Sequence, residues 1–264
     1  MKQAYINEMR LMPHIHRMEQ RGVHLAVEQL KRDTDFYYQK LDELDELICE
    51  TVGRRVDVDS NAELADAIEA KGLSKGFATT PTGKRSTAKD SLISAIADPQ
   101  LLGRLLVRGS IATCLRTFMH PWQMQAESHG KLFIRWNQIR NYTDTGARTG
   151  RLSSSPNLQN IPVRSEAGRR VREAFVATQG VIISADYSQI ELRVMAHVSN
   201  DANLQRAFAA GEDIHKATAS EVFGVSLQEV SSEQRRAAKA INFGLIYGMG
   251  AFGLASNLGI TRDA

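Results

Sequence analysis

Helical starts and stops recur along most of this chain, and they constrain its fold more than any other feature. Asp201, Asp213 and Ser231 each precede a stretch of helical apolar spacing, and Gly211, Gly224 and Gly259 each follow one. Short polar side chains accept hydrogen bonds from the open N–H groups of a first helical turn, and glycine tolerates the left-handed residue that ends a helix. The pattern predicts helices over residues 189–199, 201–210, 213–223 and 231–248, with another starting at 250–258. Ser231-x-x-Gln234 has the form of a capping box. The front of the chain follows the same grammar. Residues 3–21 close at Arg21-Gly22, and Val27, Leu30, Tyr37, Leu41, Leu44, Leu47 and Ile48 then recur at three- and four-residue intervals. Ser60-x-x-Glu63 opens a short helix ending near Gly72. Asp98-Pro99 opens another, which runs through Leu101, Leu102, Leu105 and Leu106 towards Phe118.

Between these helices lie polar loops and a few strand-like runs. Residues 74–90, rich in Thr, Ser, Lys and Gly, read as a mobile polar loop at the tip of a lever of antiparallel helices. Leu132-Phe133-Ile134-Arg135-Trp136 reads as a strand, followed by a glycine-punctuated polar stretch from Asn141 to Ile161. Val181-Ile182-Ile183 reads as a buried strand that ends at Asp186. There is no internal repeat.

Charge is distributed unevenly, and that asymmetry points to polyanions. Residues 1–50 hold seven Lys/Arg against ten Asp/Glu, although the whole 264-residue chain carries a net charge of +3. Seven arginines (Arg140, Arg148, Arg151, Arg164, Arg169, Arg170, Arg172) and no lysine fall within residues 140–173. Arginine presents a planar fork suited to phosphate. No uninterrupted apolar span or signal pattern is present, so no membrane association is expected. Cys49 and Cys114, far apart, suggest neither a disulfide framework nor a thiolate metal site, which fits a reducing, cytoplasmic setting.

Two segments carry candidate chemistry. A carboxylate at the end of an apolar strand is costly unless paired or bound to a cation, so Asp186 reads equally as a metal ligand or as a helix N-cap. Gln189, Glu191 and Arg193 then gather polar groups at the mouth of the strand, and Ile190, Val194 and Val198 form an apolar stripe expected to anchor the helix in a core. Further on, Arg235, Lys239, Phe243 and Tyr247 recur every four residues and share one helix face. Two cations near a helix start suit a polyphosphate, and aromatic rings farther along suit a base and sugar. A nucleoside triphosphate has that polarity.

These segments resemble the leading motifs of the family A DNA polymerases, the DNA polymerase I type. The resemblance rests on Asp186-Tyr-Ser-Gln-Ile-Glu-Leu-Arg193 and on Arg235-Arg-Ala-Ala-Lys-Ala-Ile-Asn-Phe-Gly-Leu-Ile-Tyr-Gly248. Thr149-Gly-Arg-Leu-Ser-Ser, Pro156-Asn-Leu-Gln-Asn-Ile-Pro162 and Asp213-Ile-His215 match further family segments. It implies an α+β, helix-rich, partial right-hand fold: a helical thumb over 1–125, part of an antiparallel-sheet palm over 126–200 and part of the helical fingers over 201–264. The implied reaction is template-directed nucleotidyl transfer from a dNTP to a primer 3′-hydroxyl, in replication or repair, with two divalent cations, Mg2+, as cofactors. Asp186 and the Tyr187 carbonyl would hold metal, and Arg235 and Lys239 the triphosphate. Gln189 and His215 would add nucleotide contacts, and Phe243 would pack on the sugar. Tyr247 would lie beside the templating position, and Glu191 would fill the space of a ribose 2′-hydroxyl. Arg151, Asn157, Gln159, Asn160 and Arg164 would hold primer–template DNA without reading its sequence.

Two departures from the family pattern qualify this. The loop between Arg151 and Asn157 is one residue shorter, and the sequence reaches Ala264 without the His-Asp-Glu motif that carries the second metal-binding aspartate. The expectation is therefore that these residues bind DNA but do not extend it alone, and that a downstream segment or a second polypeptide supplies the missing motif. The alternatives are a non-catalytic DNA-binding half of a split polymerase and a single-subunit RNA polymerase relative. Glu191 argues against the latter. The expected setting is a bacterial cytoplasm or a phage-infected cell.

Overall fold

The computed structural model describes residues 2–140 and 146–258. The start of the polar stretch at Asn141 and the closing Gly259 lie outside them. The chain divides into two compact units, Met1–Ile182 and Ile183–Ala264.

The first unit is built on helices α1 (Lys2–Arg21), α2 (Val27–Val52), α3 (Asn61–Ala70), α4 (Lys89–Ala95), α5 (Pro99–Cys114), α6 (His120–Ala126) and α7 (Glu166–Glu173). The capping residues act as their positions predict. Ser60 accepts from the Glu63 N–H and opens α3, and Asp98 accepts from the Leu101 N–H ahead of Pro99 in α5. At its 26 residues, α2 extends about 39 Å. That reach lets one helix serve two cores. Leu30, Tyr37 and Leu41 pack with Trp122, Leu132 and Val171, whereas Ile48 and Val52 pack with Leu64, Ile68, Leu101 and Leu105. Beside this second core the almost fully buried Arg108 of α5 donates to Asp45 of α2, with Nε–Oδ1 at 2.8 Å, and also to Asp59, which Arg116 pairs as well. Burial by itself disfavours a guanidinium charge, but the two carboxylates outweigh it and hold Arg108 more firmly protonated than usual.

Small antiparallel pairs complete this unit. β1 (Val23–His24) pairs with β2 (Lys131–Leu132), in the register Val23↔Leu132. β3 (Arg135–Asn137) pairs with β4 (Ser153–Ser155), in the register Trp136↔Ser154. The single strand expected over 132–136 is thus two short ones with different partners. Helix α7 packs close beneath the loop ahead of it. A Cβ on Gly168 would stand 2.1 Å from the Pro162 carbonyl oxygen, so only glycine fits there.

The second unit contains α8 (Ile190–Ser199), α9 (Ala202–Ala209), α10 (Ile214–Phe223), α11 (Ser232–Ile246) and α12 (Ala251–Leu258), close to the predicted helices. Asp201 and Asp213 each accept two backbone N–H groups, and Ser231 with Gln234 forms the reciprocal capping box. Two expectations fail, one at the boundary between the units and one in α8. Val181-Ile182-Ile183 forms no strand, and its residues are 80%, 63% and 84% exposed. A strand exists only where neighbouring backbones satisfy its N–H and C=O groups, and among the described residues no backbone pairs with it. Likewise Ile190, Val194 and Val198 are exposed, while Leu192 and Ala196 form the buried face of α8. A four-residue period fits several faces of one helix, and packing selected the other one.

Candidate nucleotide-binding site

The most extensive packing in the second unit joins α10 to α11, and the expected phosphate and sugar groups meet there. Asp213 fastens the junction. Its carboxylate caps α10 by accepting from the N–H groups of His215 and Lys216, and its second oxygen accepts from Arg235 Nε at 2.7 Å. Burial would raise the Asp213 carboxyl, but the Arg235 guanidinium and those N–H donors bring it below the ordinary carboxylate range. Arg235 spends Nε on this contact. A guanidinium carries five N–H donors, so its terminal amines remain to meet an anion.

One turn on, Lys239 is exposed, and no carboxylate pairs with it among the described residues. Its ammonium lies 5.8 Å from the Phe243 ring centroid, and the Phe243 and His215 rings lie 5.6 Å apart at 45°. His215 itself is 2% exposed. Burial, with the nearby Arg235 and Lys239 charges, holds its pKa below the usual histidine value despite the opposing pull of Asp213. Asn242, on the adjoining face of α11, reaches back to His215 Nδ1 at 3.1 Å and to Thr218 Oγ1 at 3.0 Å. The structure therefore brings Arg235, Lys239, Phe243 and His215 into one cluster. Tyr247 lies just past the end of α11 as its capping residue and is 68% exposed.

The other candidates lie on other segments of the chain. Asp186 is exposed, and no hydrogen bond or ion pair holds it among the described residues; Tyr187 is 81% exposed. Gln189 precedes α8 in a left-handed conformation, φ 51°, with its side-chain oxygen buried and unpartnered among the described residues. Glu191 is half-buried in the first turn of α8. In the first unit, Arg151, Asn157, Gln159, Asn160 and Arg164 are all exposed on the segment after β3. Asn157 Oδ1 accepts from the N–H groups of Gln159 and Asn160, and Gln159 Nε2 donates to the Leu152 carbonyl at 2.9 Å. Asn157 and Gln159 thus also fold the loop that displays their neighbours. Among the described residues no group of three or more His, Cys, Asp or Glu side chains stands ready to hold a metal ion.

The family model described as DNA polymerase family A matches residues 27–264. The chain belongs to the family A DNA polymerases. Among curated members of this family, DNA polymerase I of Pseudomonas aeruginosa is 41% identical over 97% of this chain and 28% of its own length. DNA polymerase I of Bacillus subtilis is 41% identical over 93% of the chain and 28% of its own. The thermostable DNA polymerase I of Thermus thermophilus is 42% identical over 94% and 30%. This family A chain therefore spans less than a third of each of these relatives. The POL domain of Pol1 from M. smegmatis, solved in complex with DNA primer-template and dNTP, superposes with a TM-score of 0.83 at 34% identity. That match covers 97% of this chain and 45% of that one, so the helix-rich architecture is that of part of a polymerase domain.

Three residues of the hairpin were not among the expected site residues. Asp213 was legible as a cap, but its grip on Arg235 spans 22 positions and depends on how two helices pack. Asn242 and Thr218 gave a fainter signal, since each is a polar residue set among the apolar residues of a packed helix pair.

Proposed function

We propose that this chain serves template-directed DNA synthesis, and that the α10–α11 hairpin is where a deoxynucleoside triphosphate docks. The observation that carries this is the cluster of Arg235, Lys239, Phe243 and His215 on two packed helices. Lys239, unpaired with any described carboxylate, and the terminal amines of Arg235 take the phosphates, while Phe243 offers an apolar ring to the sugar. Holding the triphosphate in line with a primer hydroxyl contributes through positioning and charge stabilisation, which dominate phosphoryl-transfer catalysis. Gln189 and Tyr247 add contacts to the incoming nucleotide and the templating position, and Glu191 crowds a 2′-hydroxyl. That crowding disfavours a ribonucleotide polymerase. Arg151, Asn157, Gln159, Asn160 and Arg164 hold primer–template DNA through phosphate, sugar and minor-groove atoms.

The metal donors fit only in part. The Asp186 carboxylate and the Tyr187 carbonyl suit one Mg2+, which takes its remaining oxygens from water and substrate phosphates. A second cation needs carboxylates beyond those the described residues gather. When bound, such ions would lower the pKa of the attacking hydroxyl and neutralise the leaving phosphates. The 264-residue polypeptide is accordingly proposed to bind DNA and nucleotide without extending a primer, with a non-catalytic DNA-binding role as the second reading.

The test pairs two measurements on this chain. Lys239→Ala is expected to weaken dGTP binding roughly tenfold, the scale of one charge-assisted hydrogen bond, while primer–template affinity is retained. Equal dGTP affinity in wild type and variant would sink the hairpin assignment. Primer extension with Mg2+ is expected to fail, and robust synthesis would overturn the binding-only reading.

A further inference from the structure

We infer that Asn242 is a positioning residue that holds His215 as the tautomer protonated on Nε2, leaving that N–H to donate near Arg235 and Lys239. The argument follows single protons. The Thr218 hydroxyl lies 2.9 Å from the carbonyl of Ile214 one turn back and 3.2 Å from Asn242 Oδ1, and its one proton goes to the nearer acceptor, the Ile214 carbonyl. Its oxygen can then only accept from Asn242, whose Nδ2 is 3.0 Å away. This fixes which end of the Asn242 amide faces the pair, because an oxygen in that place would meet the Thr218 lone pairs. The same Nδ2 carries a second proton, and His215 Nδ1 lies 3.1 Å from it. A nitrogen that accepts is unprotonated, so the proton of the neutral ring resides on Nε2. No hydrogen bond to Nε2 is found among the described residues. The ring packs against Phe243 and feels the charges of Arg235 and Lys239, so it adds a neutral donor near two cations. Such a donor suits a phosphate oxygen, and this consequence rests on the triphosphate reading of the hairpin.

The network has a mirror state. With the Asn242 amide turned over, its oxygen would stand where Nδ2 now does and accept from the Thr218 hydroxyl and from His215 Nδ1–H, leaving Nε2 an acceptor that repels phosphate. Long-range proton–nitrogen correlation spectra of the 15N-labelled 264-residue chain separate the two states, because protonated and unprotonated ring nitrogens resonate far apart. Without nucleotide, the expected result is an unprotonated Nδ1 and a protonated Nε2. Asn242→Asp replaces the donor with acceptors and is expected to move the proton to Nδ1. It is also expected to weaken dGTP binding roughly tenfold, as one lost donor would. Thr218→Val, which removes the proton relay with little change in bulk, serves if that variant does not fold; it is expected to yield a tautomer mixture. A wild-type His215 protonated on Nδ1, or an Nε2–H form unmoved by either variant, would overturn the inference. The two readings fail separately. The wrong tautomer with ordinary dGTP binding removes the role of Asn242 alone, whereas the expected tautomer with no dGTP binding removes the triphosphate reading and leaves that role standing.

Discussion

At the scale of single residues, the hairpin depends on Asp213, because one short carboxylate caps α10, grips Arg235 and lies near the His215 ring. Asp213→Ala is expected to cost about 1 kcal/mol as a lost cap. The exposed pair with Arg235 adds little to that, since half-solvated ion pairs contribute only tenths of a kcal/mol to about one. Its larger effect falls on function, because Arg235 loses its anchor and nucleotide affinity drops; urea denaturation and dGTP titration read the two effects apart. His215 supplies a pH dependence whose sign is fixed. Burial holds its folded-state pKa below 6.5, so the unfolded chain takes up the proton first as the solution is acidified. The stability that His215 contributes is complete above its unfolded pKa and is lost as pH falls through the folded one. His215→Phe should flatten the urea midpoint against pH across that window; an unchanged slope would refute the assignment of this dependence to His215.

At the scale of elements, the same periodic patterns led to one success and one failure. Helix α11 puts Arg235, Lys239 and Phe243 on a single face as their spacing requires. Helix α8 buries Leu192 and Ala196 and leaves Ile190, Val194 and Val198 at the surface. Val194→Lys is therefore expected to change stability by no more than about 0.5 kcal/mol, as for an exposed site. A loss of several kcal/mol in chemical denaturation would show that the stripe is packed after all. Gly168 makes the opposite case. Alanine suits a helix interior better than glycine by about 1 kcal/mol, but the Cβ would stand 2.1 Å from the Pro162 carbonyl oxygen. Backbone cannot yield as a flexible side chain can, so the clash wins. Gly168→Ala should destabilise the first unit by about 1–3 kcal/mol, and thermal melting checks the sign.

At the scale of the whole molecule, each unit carries its own class of expected contacts. In the first, the long helix α2 links two hydrophobic clusters, and Arg108 ties it to α5 and to the loop before α3. Truncating one partner of a buried charge pair costs about 3–5 kcal/mol. Asp45 and Asp59 retain access to water, so Arg108→Ala is expected near or below the lower end of that range, read from the denaturant midpoint of the first unit. The loop proposed to hold DNA belongs to that unit, and the proposed triphosphate cluster belongs to the second.

The helical grammar, the caps and the residue types of the candidate site were legible in the sequence because each is local. A cap needs only its own first turn, and an i,i+4 ladder follows from the pitch of one helix. Family membership was legible for a related reason: runs such as Arg235–Gly248 keep order and chemistry together. The tertiary structure alone decided what depends on a neighbour. It showed Val181–Ile183 unpaired, because strands are made by other strands, and it selected the buried face of α8 by packing. It also closed the Thr218–Asn242–His215 chain of hydrogen bonds across two helices, where a reach of about 3 Å replaces a separation of more than twenty residues. Sequence supplied the groups, and packing determined which of them meet.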